Sequence, residues 1–245
     1  RVVEQEAGPG FPIQALRAQA VVARTYALHR IERARSQGGS YDVEAGTFGQ
    51  ALSGGPASAA SREAVEDSRG LVLMVDGRPL EAFFHASCGG RTASPADVFH
   101  AESPGLCPVK CAYCRETRNF WWSGGESRTD LSASAKSLGI PGLVGFGGGH
   151  RDERGRLLSV RGTGPGSRPE IPLTVLRRLM GERKVRSGLA EFIQTGSHIL
   201  FQGRGYGHGV GFCQEGARTM AGKGRDFRRI LKFYFPKAEV VDLGD

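Results

Sequence analysis

Glu6-Ala7-Gly8-Pro9-Gly10-Phe11-Pro12-Ile13-Gln14-Ala15-Leu16-Arg17-Ala18-Gln19-Ala20-Val21-Val22-Ala23-Arg24-Thr25-Tyr26 is the stretch around which the chain reads. Pro12 suits a first helical turn, where its missing N–H removes no hydrogen bond. Ile13, Leu16, Ala20, Ala23, Ala27 and Ile31 then recur at spacings of three and four, the mark of an apolar helix face. The alanines allow close packing against a neighbour, and Gly38-Gly39 ends the helix. Before it lies a loop stiffened by two prolines and loosened by two glycines, holding the carboxylate of Glu6.

Downstream, Gly54-Gly55-Pro56 starts a second helix through Ala64, Val65 and Ser68, stopped by Gly70. Short extended pieces are expected before it, at Ser40 to Val43 and Thr47 to Leu52. The clearest hairpin is Leu71 to Val75, the turn Asp76-Gly77, then Arg78 to His85. Regular pattern is lost from Ala86 to Trp122, where cysteine, proline and glycine dominate. A short helix is expected over Leu131 to Leu138, with strands near Val144 and Leu157 to Val160. The runs Gly147-Gly148-Gly149 and Gly162 to Gly166 read as surface loops or a subdomain edge. A helix follows Ile171-Pro172-Leu173 and is closed by Gly181. A second hairpin turns at Gly196-Ser197, and a last helix starts at Asp226 and stops at Pro236. Helices and antiparallel hairpins without βαβ alternation predict an α+β fold. The expected organisation is a single domain over 1–245 with a loop-rich subdomain near 123–170.

The chain has 245 residues, 39% apolar and 24% charged, enough to bury a core. Its net charge of +8 and pI of 9.6 suit an anionic partner, either nucleic acid, a membrane surface or an acidic polymer. No zinc finger, basic helix or aromatic RNA-binding signature supports nucleic acid. No apolar run reaches the length of a membrane span or resembles a secretory signal. The chain opens abruptly on a functional-looking segment, so upstream sequence is expected.

Gly203-Arg204-Gly205-Tyr206-Gly207-His208-Gly209-Val210-Gly211 lets backbone approach a ligand closely. No Lys-Ser/Thr follows it, and the strand-GxGxxG-helix spacing is missing, so neither a phosphate loop nor a dinucleotide site is expected. Cys107-x₃-Cys111-x₂-Cys114 has metal-ligand density, and Cys88 completes four thiolates for a tetrahedral zinc. His85 is an alternative ligand, two disulfides are the alternative to zinc, and Cys213 reads as a buried small residue or near-site thiol. Phe120, Trp121 and Trp122 serve as core or as sugar-stacking rings.

Pro12-x-x-Ala15-Leu16-Arg17-Ala18-Gln19-Ala20-Val21-x-Ala23-Arg24-Thr25-Tyr26-Ala27 resembles the opening signature of the stage II sporulation protein D / LytB family. The glycine loop with Gln214, Gly216, Ala217 and Met220 is similar to its closing signature. Between them Arg69 to Leu73, Ala82 to Thr92, Arg178 to Gly181 and Ile230 to Pro236 match in order. The resemblance implies a peptidoglycan lytic transglycosylase cutting peptide-denuded glycan strands and acting outside the cytoplasm. It maps the catalytic acid onto Glu6, with Glu4 as runner-up, although Ala7-Gly8 departs from the family's Glu-Met-Pro. Arg24, His85, Tyr206, His208 and Gln214 would line the substrate groove, with the Cys-rich loop forming one side. A zinc ion near the site is also implied. The LytB name brings a second reading, a non-catalytic glycan-binding module that assists a wall amidase.

Overall fold

The computed structural model describes residues 2–8, 10–38, 56–165 and 169–244. In chain order the elements are α1 (Val2–Ala7), α2 (Ile13–Ser36), α3 (Ala59–Asp67), β1 (Leu71–Val75), β2 (Arg78–Pro79), β3 (Phe84–His85) and α4 (Pro95–Phe99). There follow β4 (Trp121–Ser127), α5 (Arg128–Ser137), β5 (Gly145–Arg151), β6 (Leu157–Thr163), β7 (Glu170–Pro172) and α6 (Leu173–Met180). The chain closes with β8 (Ala190–Gln194), β9 (His198–Arg204), β10 (Phe212–Cys213), α7 (Gln214–Gly222), α8 (Phe227–Tyr234) and β11 (Glu239–Asp242). The protein is α+β, with antiparallel sheets apart from the parallel pair β3–β10. The extended pieces expected within 40–52 lie outside the described residues. No helix among the described residues is long and apolar enough to cross a membrane.

Two compact units emerge, Arg1–Arg115 with Gly209–Asp245, and Glu116–His208. The expected subdomain at 123–170 falls inside the second.

The first unit is built on α2. Its periodicity predicts one apolar face, yet Ala15, Leu16, Ala18, Ala20, Val21, Val22, Ala23 and Tyr26 are all buried. The reason is neighbours on several sides: α1, α3, α7, α8 and β1 all pack against it. Small side chains make that crowding possible. Polar groups on α2 tie it to these neighbours. Thr25 Oγ1 accepts from Leu73 N–H at 2.9 Å, and Gln14 Oε1 accepts from Phe227 N–H at 3.0 Å at the start of α8. Arg17 pairs with Asp67 on α3.

Asp76 and Gly77 both take positive φ, 49° and 73°, as the predicted Asp-Gly hairpin turn requires. The returning strand is shorter than predicted. Only Arg78–Pro79 pairs with β1 as a strand; Leu80 N–H still donates to the Leu73 carbonyl at 2.9 Å, but Leu73 N–H turns to Thr25 Oγ1 and does not return the bond. The other edge of β1 is taken by β11 (Leu73↔Val240), and β3 leaves to pair with β10.

The second unit holds two three-stranded sheets, β4-β9-β8 and β5-β6-β7, over a core that includes Trp122, Leu131, Phe146, Leu157, Leu176, Ile199 and Phe201. Gly147-Gly148-Gly149, predicted as a loop, runs inside β5 at a register shift against β6. A Cβ at Gly149 would stand 2.7 Å from the Ser159 carbonyl oxygen on β6, so the glycine is needed for strand pairing and not for a turn.

Candidate functional site

The segment that sequence predicts as a loop around Glu6 is the short helix α1. Glu4 and Glu6 stand two positions apart on it, a spacing that turns side chains to different sides of a helix. Glu4 faces α3. Its Oε2 accepts from Ser58 Oγ at 2.6 Å, from Ser61 Oγ and from Ser58 N–H. Ser58 is itself the N-cap of α3, accepting from Ser61 N–H at 3.2 Å. The hydroxyls of Ser58 and Ser61 hold the Glu4 carboxyl below the usual carboxylate range. Glu4 is therefore an ionised staple between α1 and α3. Glu6 is half-buried and ends the same helix, next to the turn through Gly8 and Gly10, both at φ 77°.

A pH signature follows from Glu4. Its lowered pKa means the stabilisation is present above the unfolded-state value near 4.3 and lost as pH falls through the folded one. The group is largely solvated, so Glu4→Gln is expected to cost only a few tenths of a kcal/mol, about the scale of exposed ion pairs. That cost should vanish in acid melts. Ser58→Ala removes the cap as well, and about 1 kcal/mol of its cost should persist in acid.

Arg24 is spent within the first unit. Its guanidinium donates to the carbonyls of Ser68 at 2.7 Å, Leu71 at 2.9 Å and Val65 at 3.4 Å, closing the C-terminal end of α3. His85 is buried, and its Nδ1 lies 3.0 Å from the Val210 carbonyl. A carbonyl only accepts, so Nδ1 carries the proton and a neutral ring leaves Nε2 as the basic nitrogen. Gln214, buried at the start of α7, donates to Gln19 Oε1 at 3.4 Å. Gln19 was not singled out from sequence. The available signal was an amide inside the alanine-valine run of α2. Tyr206 and His208 end the second unit, where the Arg186 guanidinium covers the Tyr206 ring at 5.4 Å. Gly205, Gly207, Gly209 and Gly211 all take positive φ, which explains glycine at alternate positions. At Gly211 a Cβ would stand 2.2 Å from the Phe83 carbonyl oxygen, so β10 reaches β3 only because that position is bare.

The thiols gather differently from the predicted set. Cys88, Cys111, Cys114 and Cys213 are buried, and their sulfurs all lie within 4.8 Å of one another. Cys107 is half-buried and outside the group, and His85 is not part of it either. The physical reason is the parallel pair β3–β10, which sets Cys213 beside His85 and hence near Cys88. Cys213 Sγ accepts from the N–H groups of Cys88 at 3.3 Å and Gly216 at 3.4 Å. Cys111 N–H is anchored on the Gly90 carbonyl at 3.0 Å, and Cys111 Sγ lies 3.3 Å from Tyr234 Oη. No pair is bonded: Cys88 and Cys114 stand 3.4 Å apart, against about 2.05 Å for a disulfide.

This donor set fits a zinc ion. Zn–S bonds of about 2.3 Å in a tetrahedron place sulfurs about 3.8 Å apart. The cage is chemically divided. Hydrogen bonding from Cys111 favours the thiolate at Cys114, while burial pushes Cys213 up and hydrogen bonding to Cys111 raises Cys88. Four buried thiols cannot all ionise against one another, and a divalent cation would remove that conflict.

Fold and site together define an α+β protein in which a four-thiol cage ties an irregular loop to the strand–helix junction carrying Gln214. Residues 1–75 match the family model described as SpoIID, stage II sporulation protein. An uncharacterized protein of Brachyspira hyodysenteriae is 31% identical over 98% of this chain and 65% of its own length. The amidase enhancer of Bacillus subtilis is 25% identical over 96% of this chain and 39% of its own length. Stage II sporulation protein D of the same organism is 25% identical over 74% of this chain and 50% of its own. Residues 1–75 thus carry the stage II sporulation protein D family match, and the chain as a whole is similar to proteins named for that family. It spans less than two thirds of the length of each of these relatives.

Proposed function

We propose that this chain is a peptidoglycan lytic transglycosylase domain acting outside the cytoplasm on peptide-free glycan strands, with Glu6 as its general acid and base. The supporting observation is the division between the two carboxylates of α1. Glu4 is held ionised by Ser58 and Ser61 and cannot serve as a proton donor near neutrality, whereas Glu6 occupies the family's catalytic segment. A protonated Glu6 donates to the oxygen of the bond between N-acetylmuramic acid and N-acetylglucosamine. The muramic C6 hydroxyl then attacks C1, and its proton passes to the Glu6 carboxylate, leaving a 1,6-anhydro end. No second carboxylate is required, in contrast to ordinary glycosidases. His85, with Nε2 as its basic nitrogen, and Gln214 are the polar groups of the first unit assigned to the glycan, and Tyr206 and His208 those of the second. Arg24 supports the scaffold.

Cys88, Cys111, Cys114 and Cys213 are assigned as ligands of a structural zinc. Four protein ligands leave no position for substrate, so the ion would supply rigidity, and bound thiolates would resist oxidation in the cell envelope.

The B. subtilis amidase enhancer favours a second reading, a glycan-binding module that presents the wall to an amidase. Digestion of denuded glycan strands separates the two. Anhydro-muramic ends detected by mass spectrometry support the enzyme, and their absence with binding retained supports the module.

A further inference from the structure

The exposed face of the β4-β9-β8 sheet carries a second candidate site, wholly within the unit 116–208. Directly paired residues share a face. Trp121 pairs with Arg204, Ser123 with Gln202, and Glu191 with Gln202, and all five side chains are exposed. They line a cavity of about 700 Å³ together with Arg154 from the turn between β5 and β6. Trp121 is 65% exposed, an uncommon disposition for an indole, and it is held edge-on by the buried Phe120 at 5.1 Å. Trp122 lines the same cavity from the core side, and its buried indole N–H has no hydrogen-bond partner among the described residues.

The chemistry of this lining selects its ligand. A flat indole face with negative quadrupole suits the row of C–H groups on one side of a pyranose ring. Gln202, Ser123 and Glu191 offer the donors and acceptors that ring hydroxyls need. The lining carries two arginines, Arg154 and Arg204, against the single carboxylate of Glu191, which also pairs with Arg151 at 3.0 Å. The unit as a whole has fourteen basic and eight acidic residues, so most of the chain's surplus of +8 lies here. The cavity suits an anionic sugar.

We infer that this face is a subsite for the glycan strand itself, stacking one ring on Trp121 and pairing a free lactyl carboxylate with Arg204 opposite it. The inference rests on the peptidoglycan reading above, and it adds a strand-holding site whose residues all belong to the second unit.

The test is calorimetric titration of the full chain with a peptide-free peptidoglycan tetrasaccharide, against neutral chitotetraose and a single-stranded oligonucleotide. Trp121→Ala is expected to weaken tetrasaccharide binding roughly tenfold, with Trp121→Phe restoring most of it. R204Q and R154Q together should erase the preference over chitotetraose. Unchanged affinity in Trp121→Ala overturns the subsite, as does equal binding of chitotetraose by wild type or tighter binding of the oligonucleotide. The catalytic reading fails separately. A wild-type chain that produces no anhydro ends but loses tetrasaccharide on Trp121→Ala keeps the subsite and sinks the enzyme.

Discussion

Glu6→Gln is expected to abolish formation of anhydro-muramic ends while leaving the fold intact. The amide keeps the size and hydrogen-bonding reach of the acid but can neither donate a proton to the glycosidic oxygen nor take one from the C6 hydroxyl. General acid–base catalysis is worth about 10² to 10⁴-fold in rate, and here one group performs both transfers, so the loss should lie toward the upper end. Glu4→Gln is the control. Its carboxylate faces Ser58 and Ser61, so it should keep activity within about threefold while lowering stability slightly near neutral pH and not at all in acid. If Glu4→Gln were the inactive variant and Glu6→Gln the active one, the roles assigned to the two carboxylates would be reversed. The measurement is the initial rate of anhydro-end release from denuded strands, with melting curves on both variants.

Loss of the thiol cage should have the next largest effect, on folding. Metal analysis of the purified chain is expected to find about one zinc per chain, as a closed four-thiolate site holds. Cys213→Ser should bring that content close to zero and lower the melting temperature sharply, because metal-binding energy at a structural site contributes directly to folding. Cys107→Ser should change neither quantity, since Cys107 stands outside the cage. Gly216→Ala probes the same place without touching a ligand. A Cβ there would meet Tyr234 Oη at 2.1 Å, Cys111 Sγ at 3.0 Å and Cys213 Sγ at 3.3 Å. Neither the phenol nor the sulfurs are flexible chain ends, so the substitution should weaken metal retention against a chelator. A chain that keeps its zinc in Cys213→Ser and loses it in Cys107→Ser would restore the ligand set that spacing suggests.

How far sequence reaches depends on the range of the interaction concerned. The helix after Pro12, the Asp76-Gly77 turn, the Asp226 cap and the hairpin at Gly196-Ser197 were all legible, because each rests on residues a few positions apart. Asp226 accepts from Arg229 N–H at 2.8 Å, as its position before the last helix implies. The misreadings share a cause of the opposite kind. Gly147 to Gly149 looks like a loop because glycine lacks strand propensity, yet β6 supplies pairing that overrides it. The returning strand after Gly77 looks long by composition, but its partner ladder stops at Pro79. The Phe120-Trp121-Trp122 run could not be divided from sequence between core and surface. The pleat of β4 settles it by burying Trp122 and turning Trp121 outward.

The sequence by itself determined most of the elements, the α+β class and the family resemblance, since each follows from local backbone preferences or from motifs in colinear order. Tertiary structure alone decided that Glu4 is held by Ser58 and Ser61 and which four cysteines meet. Glu4 is claimed by serines more than fifty residues downstream. Cys213 comes within reach of Cys88, 125 positions away, through a two-residue parallel pairing that depends on a bare Cα at Gly211. Such contacts are selected by chain closure and packing over long separations, which leave no period or spacing in the sequence to read.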